Sequence, residues 1–319
     1  MKVILIEEKK LKNTPKISIL IPAYNVEQWI EESLLSILKQ PYQNIEVIVV
    51  DDCSTDNTYK LIKGIAATDS RIISLRNSNN LGIVGALNYG LTYCTGDYIL
   101  RHDGDDVSES HRIIGQLSYL IENELDLVGT QMLPIDSVGN IIGPTSKLPL
   151  SHELIARIAN FSSPLTHVWL CKREIYNKLE GYRNVPYAED FDFILRAIDA
   201  GFKCGNTFSA LTRIRHRDGN TSDVASLSQR RGHFYALKLH KQRVKTGIDN
   251  YNLSDSEKLL ESNKIVALAH NKSTKMLSAA YRSNNRLMTI LYVICSCALS
   301  YYNTHYILTR ILVKRILSK

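Results

Sequence analysis

Apolar positions open the legible part of the chain in KISILIPAYN, where a β-branched run closed by a proline turn predicts a strand over Ile17–Ile21. From Glu27 to Lys39, Trp29, Ile30, Leu34, Ile37 and Leu38 recur at helical spacing. IEVIVVDDCSTDNT is a second strand. It runs into Asp51, Asp52 and a Ser/Thr/Asp/Asn loop that supplies N-caps for a helix over Tyr59–Ala67. RIISLRN predicts a third strand, and NNLGIVGALNYGLTYCTG a glycine-containing loop and a helix stopped at Gly96. DYILRHDGDD is a fourth strand with an acidic end. Strand and helix alternate, which argues for an α/β fold with a mostly parallel sheet flanked by helices. Further on, DLVGTQMLPID reads as a strand, GNIIG as a turn and return strand, and SHELIARIANF as a helix. THVWLCKREIYNKLEGY reads as a strand and then a helix stopped at Gly181. AEDFDFILRAIDAGF is amphipathic, with Phe191, Ile194, Leu195 and Ile198 on one side and Gly201 as its C-cap. After residue 225 the sequence is helix-prone and rich in Lys and Arg, with no glycine beyond Gly247.

The polar clusters PAYN, DDCSTDNT and DGDD all fall at carboxyl ends of expected strands, where ligands of such sheets bind. In DGDD, the carboxylates Asp103, Asp105 and Asp106 crowd four positions. Like charges that close repel, and a hard divalent ion such as Mg²⁺ or Mn²⁺ relieves them while bridging to substrate phosphates. Gly104 lets the backbone approach a ligand closely. A solvated acidic turn is the plainer alternative for so short a pattern. Asp103–Val107 also fits the nucleophile motif of haloacid-dehalogenase-type phosphatases, which place it after the first strand. Here three strands precede it, and PAYN and DDCST would be left without a role.

Taken in order, SILIPAYN, VIVVDDCSTDNT, NNLGIVGALNYGL, GDYILRHDGDD, PLTHVWLCKREIYNKLEGYR and YAEDFDFILRAIDAG resemble the family 2 glycosyltransferases of GT-A fold, over roughly residues 16–222. The similarity is strongest to bacterial enzymes that build surface polysaccharides and exopolysaccharides. It implies a nucleotide-sugar donor, UDP-linked by expectation, an inverting transfer, and a glycan or lipid-linked glycan acceptor. It also implies roles for individual residues. Pro22, Ala23, Tyr24 and Asn25 match the loop along the nucleotide, and Asp52 the carboxylate that holds base or ribose. Asp103 and Asp105 match the pair that binds the diphosphate through a metal ion, with Asp106 as a third member. Asp190 matches the catalytic base, and His216 the histidine that relatives carry near the diphosphate, as a further metal ligand beside Asp103 and Asp105. In TRIRHRDGNTS the tyrosine expected before that histidine is missing, so Arg213 and Arg215 receive no role.

The chemistry agrees. Glycosyl transfer sheds a diphosphate whose growing charge a divalent cation stabilises, and the acceptor hydroxyl needs a general base. DGDD and Glu189–Asp190 supply those two acidic centres. Both acids of the second pair also suit the start of a helix, where a carboxylate meets the positive end of the dipole. His167 is either on the acceptor side or a satisfied core histidine, and Trp169 either stacks on a sugar or is core. Arg101 either meets phosphate or balances the acidic cluster, and Arg112 is expected to pair with the same carboxylates. The rivals to a transferase are a metal-dependent phosphatase using Asp103 and a nucleotide-sugar-binding protein without turnover. The latter is disfavoured because no carboxylate of DGDD or AED is missing.

The chain has 319 residues, 44% hydrophobic and 22% charged, with a formal net charge of +7. Such a composition excludes wholesale disorder. The charge comes without a recognition motif, which argues against nucleic acid as partner. Six cysteines form no CxxC pair, and MKVILIEEKKLKN lacks a signal-peptide pattern, so a cytoplasmic protein with reduced thiols is expected. From Leu287 to Thr309 there are 23 residues without a charged side chain, followed by Arg310, Lys314, Arg315 and Lys319. That length could span a bilayer, but its polar residues and basic end suit a helix lying on the inner face of the plasma membrane, with contact through residues 287–319. A soluble helical extension is the alternative. The expected organisation is a lead-in at 1–15, a GT-A domain at 16–225 and a helical, basic extension at 226–319.

Overall fold

A computed structural model describes residues 14–217 and 226–318. The elements run β1 (Ile17–Ala23), α1 (Ile30–Leu38), β2 (Ile45–Asp51), α2 (Thr58–Ala66), β3 (Ile72–Arg76), α3 (Gly82–Leu91), β4 (Tyr98–Arg101), β5 (Val107–Ser108), α4 (Arg112–Glu122) and β6 (Leu127–Ile135). They continue with α5 (His152–Ala159), β7 (Leu170–Lys172), α6 (Arg173–Leu179), α7 (Glu189–Asp199) and β8 (Cys204–Arg215). The helices α8 (Ser226–Thr246), α9 (Leu253–Glu257), α10 (Lys264–Arg282), α11 (Arg286–Leu299) and α12 (Tyr301–Leu317) complete the chain. The chain forms two compact units. One holds the sheet, and the other comprises residues 157–163, residues 184–195 and the described residues from Ser226 onward. The change of unit therefore does not fall at a single point near residue 225, and α5 and α7 each pass from one unit to the other.

In the first unit the eight strands form one sheet in the order β3-β2-β1-β4-β7-β6-β8-β5. Pairing is parallel for β1–β2, β2–β3, β1–β4 and β6–β8, and antiparallel for β4–β7, β6–β7 and β5–β8. β1 and β2 are buried at every position, as expected where helices cover both faces of a parallel sheet. On one face, Ile17, Ile19 and Ile21 of β1 and Ile45, Val47 and Val49 of β2 form one core with Ile30, Leu34 and Ile37 of α1 and Ile113, Leu117 and Leu120 of α4. Because β1 lies between β2 and β4, the loops that leave the carboxyl ends of these three strands emerge side by side. PAYN, DDCST and DGDD are those loops.

β8 has no counterpart in the sequence reading. Its residues CGNTFSALTRIR carry Thr, Ser and Asn where a strand signal needs alternation. It is held by pairing to β6, with register shifts between Gly129 and Met132. The return strand expected in GNIIG is reduced to one isolated bridge, Ile135 to Ile141.

In the helical unit, Tyr235 and Leu239 of α8 pack on Val185 and Ala188, ahead of α7. A side chain at Gly232 would run into the Pro186 carbonyl, so this close approach needs glycine. The interior shared by α10, α11 and α12 is polar. Ser273 Oγ bonds Ser296 Oγ at 2.7 Å, and Asn303 Nδ2 donates to Ser273 Oγ at 2.8 Å. His270 Nδ1 lies 2.8 Å from Ser300 Oγ. Ser300 has extended backbone and caps α12 through the Asn303 N–H, which divides the uncharged stretch 287–309 into two helices. Among the described residues no helix is long and apolar enough to cross a membrane.

Candidate functional site

At the end of β1, Pro22 and Ala23 are buried, Tyr24 is exposed, and Asn25 takes a left-handed φ of 50°. Asn25 ties this loop to the next one. Its N–H donates to Ser54 Oγ (3.0 Å), and its Oδ1 accepts from the Thr55 N–H (2.9 Å). The Asp52 N–H donates to the Ala23 carbonyl (2.8 Å), and its carboxylate accepts from Asn77 Nδ2 (2.6 Å) and the Leu81 N–H (2.9 Å). Asp51 turns the other way, fully buried, to Arg76 at 3.2 Å and the Ser54 N–H. Alternation along β2 separates the two acids, as the sequence implied.

The crowded acids after β4 each have their own partner. Asp103 lies 3.4 Å from Arg101 Nε and 3.2 Å from His167 Nε2. Asp105 pairs with Arg217 Nε at 2.7 Å, and its carbonyl accepts from Arg215 Nε. Asp106 is buried. One of its oxygens accepts the Arg215 backbone N–H (2.9 Å), and the other, 3.8 Å from His167 Nε2, has no hydrogen-bond partner. Burial alone would raise the Asp103 carboxyl, but Arg101 and His167 hold it well below the usual carboxylate range. Burial raises Asp106 to about 6 against the pull of His167, with Asp105 and Asp103 adding to the rise. Burial would lower His167, yet Asp103 and Asp106 raise it to about 10. The cluster is thus not a solvated turn, because His167, Arg101 and Arg217 already face it.

Asp103, Asp106 and His167 offer ligand atoms within 4.8 Å of one another, and two carboxylates with an imidazole are a donor set that fits a divalent cation. The unpartnered, buried oxygen of Asp106 is the atom such an ion would satisfy. His216 is not part of this group. It is exposed just past β8, with its N–H on the Ile135 carbonyl (2.7 Å).

A buried lattice holds the acidic loop in place. Arg112 is fully buried and does not touch the carboxylates, contrary to expectation. Its guanidinium donates to Gln116 Oε1, His102 Nδ1, Ser108 Oγ and the carbonyls of Arg101 and Val168, all at 2.8–3.0 Å. Burial and Arg112 lower His102 to about 3, so the ring is neutral. Its Nδ1 accepts from Arg112, which leaves the proton on Nε2 for Ser33 Oγ (3.0 Å). Ser33 in turn donates to the Asp103 carbonyl (3.1 Å). Gly104 lies against the first loop, where a Cβ would stand 3.2 Å from the Pro22 carbonyl and 3.4 Å from Ala23 Cβ. Arg112→Met should cost about 3–5 kcal/mol in urea unfolding, because it strands several buried acceptors at once.

Trp169 is fully buried. Its indole N–H donates to Tyr176 Oη (3.0 Å) and Arg101 lies over its ring at 5.9 Å, so it supports Arg101 and is not open for stacking on a sugar. In the helical unit, Glu189 and Asp190 form the first turn of α7. Glu189 is buried, and Asp190 is half-buried with Oδ1 on the Phe191 N–H (2.7 Å). The Phe191 ring packs on His233 of α8 at 4.9 Å. Burial lowers His233 to about 4 in spite of the Asp190 carboxylate, so it is neutral at pH 7. Sequence reading gave no role to Ser33, Asn77, His102 or His233, and it missed the bridge that His167 makes between Asp103 and Asp106.

Residues 18–180 match the family described as Glycosyl transferase family 2. The chain is a family 2 glycosyltransferase. It is 37% identical to EpsE of Bacillus subtilis over 64% of this chain and 74% of that protein. It is 32% identical to WfaP of Escherichia coli, a UDP-Glc:alpha-D-GlcNAc-diphosphoundecaprenol beta-1,3-glucosyltransferase, over 65% of this chain and 79% of that protein. Its fold is that of S. aureus TarS, solved with UDP-GlcNAc, at a TM-score of 0.60 and 19% identity over 88% of this chain and 79% of the other. The mannosyltransferase PcManGT of Pyrobaculum calidifontis, solved with GDP-Man and Mn²⁺, aligns at a TM-score of 0.57 and 18% identity over 100% of this chain and 93% of the other. The phosphatase reading fails on this match and on the position of Asp103 after the fourth strand.

Proposed function

We propose that this glycosyltransferase moves a sugar from a UDP-linked donor to a hydroxyl of a glycan or lipid-linked glycan, with inversion, in bacterial surface polysaccharide synthesis. The observation that carries this is the emergence of PAYN, DDCST and the acidic loop side by side from β1, β2 and β4. The names of WfaP and TarS, one using UDP-glucose and the other solved with UDP-GlcNAc, favour a uridine donor. In this reading Pro22, Ala23, Tyr24 and Asn25 lie along the nucleotide, and Asp52, oriented by Asn77 and Leu81, holds base or ribose.

In the same reading Asp103 meets the diphosphate through the metal ion. It is common to two sets of metal ligands: Asp106 and His167, which the geometry brings together, and Asp105 and His216, which the family resemblance implies. The first set is favoured because Asp105 is engaged by Arg217. Mn²⁺ or Mg²⁺ bound there would supply positive charge to the departing diphosphate. Arg112, His102 and Ser33 fix the backbone of that loop before any ligand arrives.

Asp190 takes the proton from the acceptor hydroxyl as that oxygen bonds to the anomeric carbon and the bond to the diphosphate breaks. The Phe191 N–H fixes one oxygen of Asp190, and the buried Glu189 supports the turn. All six cysteines are free, which suits the proposed cytoplasmic location. A panel of UDP-, GDP- and dTDP-sugars, with and without Mn²⁺, tests the donor. UDP-sugars should give the largest thermal shift and should release UDP slowly without acceptor. No shift with any nucleotide sugar would refute the reading.

A further inference from the structure

In the helical unit, α11 is inverted relative to an ordinary surface helix. Its buried residue is Ser296, which hydrogen-bonds Ser273, while Leu287, Ile290, Leu291 and Ile294 face outward. Their spacing of i, i+3, i+4 and i+7 makes one apolar stripe. Leu287 is 76% exposed and Ile294 59%. α12 is similar, with Asn303 buried in the polar interior, Ile316 buried near its end, and Leu308, Ile311 and Leu312 exposed. A bundle that turns Ser, His and Asn inward and Leu and Ile outward gains nothing from water, since a contiguous apolar patch marks a covered surface. The same segment carries one sign of charge. After Glu261 the chain has no Asp or Glu and nine Lys or Arg residues, with Arg310, Lys314 and Arg315 exposed on α12.

We propose that α11 and α12 lie on an anionic lipid bilayer, with the Leu287–Ile294 stripe and the Leu308–Leu312 residues among the acyl chains and Arg310, Lys314 and Arg315 on lipid phosphates. Charge selects this occupant. A second copy docking through the same face would set two basic, acid-free surfaces against each other, whereas phosphatidylglycerol offers the opposite charge. The break at Ser300 gives two short helices, a form that rests in the interface and does not span it. The surface would bring the enzyme to a lipid-linked acceptor, but the proposal stands apart from donor and acceptor chemistry.

The test is flotation of the full chain with vesicles of phosphatidylcholine alone or mixed with phosphatidylglycerol, with size measured by light scattering. Wild type should float with the anionic vesicles and not with the neutral ones. Ile290→Glu/Ile294→Glu and, separately, Arg310→Glu/Lys314→Glu/Arg315→Glu should each lower the bound fraction by about tenfold or more with an unchanged circular dichroism spectrum. Failure of wild type to float at any phosphatidylglycerol content would overturn the proposal, as would unchanged flotation of both variants. So would a dimer that Ile290→Glu/Ile294→Glu converts to monomer without loss of flotation, since the stripe would then belong to a second copy.

Discussion

Asp190→Asn should keep donor binding and lower kcat for transfer by about 10²–10⁴-fold. The amide retains the shape of the side chain and one oxygen for the Phe191 N–H, so the first turn of α7 is undisturbed. It lacks the basicity to take the acceptor proton. Donor affinity by calorimetry and kcat by UDP release with the acceptor that supports wild-type turnover separate the two effects. A kcat within about tenfold of wild type would remove Asp190 from the mechanism.

Asp103→Asn should abolish metal-dependent donor binding, because both sets of ligands share that carboxylate. Its partners can be told apart. The geometry predicts that His167→Gln weakens Mn²⁺ binding by about tenfold or more, while His216→Gln does not. The converse result would assign the remaining ligands to Asp105 and His216, with Arg217 displaced from Asp105. Mn²⁺ titration followed by electron paramagnetic resonance reads each variant without turnover.

The carboxyl ends of β1, β2 and β4 were legible in the sequence because each pairs a continuous apolar run with a polar loop, and that contrast survives in one dimension. β8 was not, because its residues become a strand only through pairing with β6. Arg112 reads in the sequence as a partner of the acidic loop. Its burial depends on carbonyls of Arg101 and Val168 that no local pattern shows. Asp106 and His167 were each noticed, but nothing in their spacing says that the turn into β7 returns the imidazole to the acidic loop. The uncharged stretch 287–309 has the length of a span, but its polar residues already argue for an interfacial helix; the break at Ser300, which caps α12, agrees with that reading, and the apolar face of α11 is visible only with Ser296 inside.

The central claim is that the acidic loop after β4 grips a pyrophosphate with the help of a divalent cation. Calorimetric titration of UDP into the full chain, in Mn²⁺ and in EDTA, addresses it most directly. The account predicts binding in Mn²⁺ and an affinity at least about tenfold weaker in EDTA. Equal affinity under both conditions would contradict it.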